Sequence, residues 1–123
     1  MNNRLCVSAA GMLFAAAVNT ATAGDVEILA ADLQLVTKDT WSVNVTLRHG
    51  DTGWDHYADR WDVLGPDGKV LGTRVLYHPH VNEQPFTRSQ RVRIPPGVTA
   101  VSVRAHCKVD GDAKSVFRID LPK

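Results

Sequence analysis

Residues 41–48 alternate without a break. Trp41, Val43, Val45 and Leu47 are apolar, while Ser42, Asn44, Thr46 and Arg48 are polar. Successive side chains of a strand point to opposite faces, so this pattern spells a strand with one face buried. Val101, Val103, Ala105 and Cys107 repeat the pattern against Ser102, Arg104 and His106, as do Phe117, Ile119 and Leu121 against Arg118 and Asp120. Tyr57, Trp61 and Val63 share a phase, as do Leu71, Val75 and Tyr77, and, less tidily, Phe86, Val92 and Ile94. No segment after the first two dozen residues shows a helical period.

Turn chemistry separates these runs. Thr37-Lys38-Asp39-Thr40, Gly65-Pro66-Asp67-Gly68, Pro95-Pro96-Gly97 and Asp110-Gly111-Asp112 carry the residues that fix or permit turn dihedrals. The pattern predicts seven strands, near 26–36, 41–48, 56–64, 69–78, 86–94, 100–109 and 115–121. Seven short alternating strands in roughly 100 residues predict an all-β chain, a seven-stranded antiparallel β-sandwich of the immunoglobulin or fibronectin type III kind. A small closed barrel is the alternative. There is no internal repeat, linker or low-complexity stretch.

If successive strands reverse direction, the loops alternate between two poles. Turns 37–40, 65–68 and 95–99 share one pole and hold only turn residues. Loops 49–55, 79–85 and 110–114 share the other, and His49, His56, His78, His80 and His106 all fall at that end. Binding sites often occupy the loops of one end of a sandwich.

The first residues read as a secretory leader. Arg4 precedes an apolar stretch from Leu5 to Val18, and Ala21-Thr22-Ala23 is a small-residue cleavage site. Cleavage there leaves one domain, 24–123, in the periplasm or outside the cell. The apolar stretch is shorter than the ~20 residues a spanning helix needs, so no membrane insertion is expected after cleavage. The whole chain has 14 Lys+Arg and 13 Asp+Glu, and losing Arg4 makes them equal. That balance gives no reason to expect nucleic acid or an acidic membrane as partner. Losing Cys6 leaves Cys107 as the one cysteine of 24–123, so no internal disulfide forms. Its phase with Val101, Val103 and Ala105 reads as a buried small apolar residue.

The leading functional reading is a non-enzymatic binding module for an unknown protein or small ligand. Trp54, Asp55, His56, Tyr57, His78, His80, Glu83 and Gln84 would carry recognition. Trp54, in a loop, is the best exposed aromatic; Trp41, Tyr57, Trp61 and Phe86 fit inward phases. The second reading is a copper or zinc site. In His78-Pro79-His80 two imidazoles lie two residues apart and so share a side of extended chain, and His56 comes from the same pole. His49 reads as peripheral to this set. The third reading is structural, with Asp55 and Glu83 capping backbone donors of their own loops. Nothing supports an enzyme. There is no nucleophile elbow or Gly-rich phosphate loop, and His106 points away from Cys107. Asp59 falls in phase with Tyr57 and Trp61, which predicts an inward carboxylate paired to an arginine such as Arg48, Arg74, Arg88 or Arg104.

Thr52-Gly53-Trp54-Asp55-His56-Tyr57-Ala58-Asp59-Arg60-Trp61 and His78-Pro79-His80-Val81-Asn82-Glu83-Gln84-Pro85-Phe86-Thr87-Arg88-Ser89 resemble the signatures of a family of small exported bacterial proteins. Leu64-Gly65-Pro66-Asp67-Gly68 and Leu71-Gly72-Thr73-Arg74 extend the likeness over most of 24–123. The resemblance implies export and carries no activity with it. It also implies a histidine followed by glycines in the last hairpin. Here that loop reads Cys107-Lys108-Val109-Asp110-Gly111-Asp112-Ala113-Lys114, so no ligand is expected from it.

Overall fold

The computed structural model describes residues 26–122, so the leader reading lies outside the described residues. All described regular structure is β: β1 (Glu27–Thr37), β2 (Thr40–Arg48), β3 (Ala58–Leu64), β4 (Val70–Val75), β5 (Phe86–Arg93), β6 (Ala100–Cys107), β7 (Gly111–Asp112) and β8 (Phe117–Asp120). They form two antiparallel sheets. One has the order β1-β2-β5, the other β4-β3-β6-β7, with β8 also paired to β6. The barrel alternative falls, because the chain divides into two separate sheets.

Sequence alternation becomes burial directly. Along β2 Val43, Val45 and Leu47 are buried, and along β6 Val101, Val103, Ala105 and Cys107. They meet Leu33, Phe86 and Val92 of the first sheet and Ala58, Trp61 and Val63 of the second in one core. Cys107 is buried as its phase predicts. Trp41 is only partly buried, at the core's edge.

Two departures have local causes. β3 changes phase at its start: Ala58 pairs with Cys107 and Arg60 with His106, leaving Asp59 as an extra residue. Such a bulge swaps the faces of everything before it. Asp59 therefore turns outward, and its Oδ1 lies 2.6 Å from His106 Nδ1 rather than against an arginine. The buried carboxylate of β3 is Asp62, which accepts from Arg104 at 3.1 Å and Thr73 at 2.7 Å. The last predicted strand, 115–121, is β8, and an extra two-residue strand, β7, lies in the loop before it. β7 pairs with the end of β6 and β8 with its beginning, and residues 113–116 bend between them.

The sheets approach closely where β4 crosses Val92 of β5. A Cβ placed on Gly72 would sit 2.8 Å from Val92 Cγ2. Gly72→Ala is therefore expected to lower stability by about 1–3 kcal/mol, the usual range for overpacking a filled interior. A urea midpoint equal to the wild type's would show that Val92 yields freely.

Turns 37–40 and 94–99 meet at one end, where Ile94 N–H donates to Asp39 O. Asp39 has φ of 54°, a left-handed turn position that aspartate tolerates. Loops 49–57, 76–85 and 108–116 meet at the other end, as the alternating directions require.

Candidate functional site

The histidine pole is built around Asp51, a buried carboxylate in the β2–β3 loop. Its Oδ1 accepts from Ala58 N at 3.0 Å and lies 2.6 Å from His49 Nδ1. Its Oδ2 accepts from His80 N at 2.7 Å. One side chain thus holds the entry to β3, the end of β2 and the β4–β5 loop. Gln84 adds a second brace: its Oε1 accepts from His49 N, and its Nε2 donates to His80 O. The capping role expected of Asp55 and Glu83 therefore falls to Asp51 and Gln84. Asp55 is exposed, and Glu83 accepts from Arg88 at 3.1 Å. Asp51 reaches donors 2, 7 and 29 residues away, and no local pattern announces the last of them.

His80 is turned inward. Its ring stacks on Phe86 at 3.8 Å between centroids, and Arg88 Nη2 lies 3.0 Å from its Nε2. A guanidinium can only donate, so Nε2 accepts and the ring is neutral with its proton on Nδ1. Burial, then the nearby charge of Arg88 and of His78, pushes its pKa below the ordinary 6.5. The sign follows from linkage. Below about pH 6.5 the unfolded chain gains a proton that folded His80 refuses, so the stability present above that pH is lost as pH falls toward the folded value. The urea midpoint is expected to drop between about pH 7.5 and about pH 5.5, and His80→Gln to flatten that slope. An unchanged slope in the variant would assign the effect to another group.

His78 is exposed, with its ring 4.6 Å from that of His80. His56 lies elsewhere on the pole, with its ring edge-on to His49 at 5.0 Å. The trio His56, His78 and His80 is thus not gathered into one set of donor atoms among the described residues. The Phe86 stack draws His80 into the core, and His78 points out.

A different set, which shares only His56 with that trio, does converge. His49, His56, Cys107 and Asp110 each place one donor atom within 4.8 Å of the others. His49 is central rather than peripheral, 4% exposed. The last hairpin contributes two donors where none was expected, because the tight β6–β7 turn folds Asp110 back over Cys107. Cys107 Sγ–H donates to Asp110 Oδ2 at 3.6 Å, and burial pushes the thiol pKa up. His56 Nε2 is buried and makes no hydrogen bond among the described residues, although Asp110 Oδ2 is 3.3 Å away. The sequence signal available for this set was Cys107 at the pole end of an inward phase, beside an acidic turn.

The aromatic rim is exposed as expected at Trp54, which rests edge-on against half-buried Tyr57 at 5.7 Å. Lys108 Nζ donates to Trp54 O and lies over the Tyr57 ring at 5.8 Å. An open groove runs between Trp54, His78, Asn82 and Glu83.

A protein of Halomicrobium mukohataei described as a "putative lipoprotein" is 43% identical over 77 residues. The match covers 63% of this chain and 38% of the relative, so the chain spans well under half of that protein's length. No family model and no solved structure matches the chain.

Proposed function

We propose that this chain is an exported, non-enzymatic domain that binds a metal ion at its histidine pole. The observation that carries the reading is the convergence of His49, His56, Cys107 and Asp110 donors within 4.8 Å. Two imidazoles, a thiol and a carboxylate are the ligand types of zinc and copper sites, whereas magnesium and calcium sites are built from oxygen. Export agrees with the leader pattern and with the lipoprotein name of the relative. Cys6 lies near the front of the apolar segment and not at the cleavage point, so lipid attachment is not carried over. The strand sets β1-β2-β5 and β4-β3-β6-β7 agree with an immunoglobulin or fibronectin type III-like arrangement, a fold that leaves such loops free to bind. The test is the metal content of protein purified from the cell envelope without chelators, together with equilibrium dialysis against zinc and copper. Protein that carries and binds neither would end this reading.

The exposed Trp54 beside the groove favours a second reading, recognition of a protein or small ligand through Trp54, Tyr57, His78 and Glu83. Aromatic anchors of this kind dominate recognition surfaces. Trp54→Ala would abolish such binding and leave metal uptake unchanged.

A further inference from the structure

Resting on the metal-binding reading, we infer that His49, His56, Cys107 and Asp110 form a closed four-ligand zinc site that clips the two sheets together at this pole. Three independent features carry this.

The first is the donor set. Zinc takes four ligands from Cys, His and Asp in a tetrahedron with bonds of roughly 2.0–2.3 Å, so neighbouring donors end roughly 3.4 Å apart. The present spread, up to 4.8 Å, needs a contraction of about an ångström or so. The side chains free to make it are on the solvent side: His56 is 30% exposed and Asp110 41%. Cys107 and His49 are buried and form the fixed floor. Thiolate and carboxylate together carry two negative charges, so a divalent ion leaves the half-buried cluster neutral and avoids burying net charge. The thiol proton leaves to solvent as the zinc–sulfur bond forms.

The second feature is what stands behind His49. A metal-bound imidazole normally gives its other ring nitrogen to a carboxylate or carbonyl, which fixes the ring. Asp51 Oδ1 lies 2.6 Å from His49 Nδ1 and so holds the orientation of the ring. Asp51 is a positioning residue in this scheme, because it acts through His49. The third feature is His56 Nε2, a buried ring nitrogen without a hydrogen bond, 3.3 Å from Asp110. Buried polar atoms are nearly always partnered, and an ion would partner this one.

The clip follows from where the ligands stand. His49 immediately follows β2 of the three-stranded sheet, and His56 lies in the loop entering β3. Cys107 ends β6 of the other sheet, and Asp110 lies in its turn. One ion would join chain segments about fifty residues apart, and closing so long a loop gains stability whenever the ion is bound.

The test uses the purified protein stripped of metal, titrated with zinc and, separately, with cobalt as a spectroscopic stand-in. One equivalent should bind, the melting temperature should rise, and cobalt should show a thiolate-to-metal charge-transfer band with intense tetrahedral visible bands. Second-layer losses cost 10–100-fold in affinity, so His56→Ala and Asp110→Asn should weaken zinc by at least about 100-fold, and Cys107→Ser should also abolish the charge-transfer band. Asp110 is exposed, so Asp110→Asn keeps the fold even if Cys107→Ser does not. His78→Ala should change nothing. One equivalent that persists in His56→Ala and Asp110→Asn but is lost in His78→Ala would overturn this site while leaving metal binding at the pole intact. No binding by the wild type would overturn both.

Discussion

Replacing Asp51 with alanine is expected to lower the unfolding free energy by about 3–5 kcal/mol, more than any other polar substitution at the pole. The change strands two buried backbone donors at once, Ala58 N–H and His80 N–H, and removes the partner of His49 Nδ1. Each buried polar group left unmet costs roughly 1–3 kcal/mol. Water could reach the site only by opening the loop, which also costs packing around His80 and Phe86. Asp51→Asn should fall between, since its carbonyl oxygen keeps one bond while its amide faces another donor. Urea unfolding of both variants measures this. An alanine variant within about 1 kcal/mol of wild type would show that the three loops hold together without the carboxylate.

Trp61→Ala is expected to cost about 3–5 kcal/mol, the range for removing a large core side chain. Trp61 is fully buried and is the largest side chain in the core. Its Nε1–H is also buried without a hydrogen bond among the described residues. That orphan separates two contributions. Trp61→Phe loses part of the indole volume, which costs, and also removes an unmet donor, which returns roughly 1–3 kcal/mol. The phenylalanine variant should therefore lie close to wild type while the alanine variant does not. Two equally unstable variants would mean that Nε1–H has a partner in solution.

Trp61 and Asp51 differ in how far the chain alone reveals them. Trp61 could be read as core, because Tyr57, Trp61 and Val63 share a strand phase. The same phase misplaced Asp59, since it assumed an unbroken strand. The bulge that breaks it is a pairing event between β3 and β6, set by how Ala58 and Arg60 meet Cys107 and His106. Asp51 was visible only as one acid among several at the pole. Its partners lie 2, 7 and 29 residues away, and the last of these comes close only after the sheets have packed.

The histidines follow the same division. Their collection at one pole is a consequence of strand count and direction, because each reversal sends the next loop to the other end. Alternation alone determines that much, along with the two buried faces and the absence of helical periodicity. Which imidazoles meet is another matter. His78 and His80 are neighbours in sequence, yet His80 is drawn into the core by Phe86, and His78 stays in water. His49 and Cys107 come from different sheets and share the donor set with His56 and Asp110. Period two settles which way a side chain points from its own strand. Distances between strands of different sheets depend on packing, register and turn shape, and those exist only in the folded molecule.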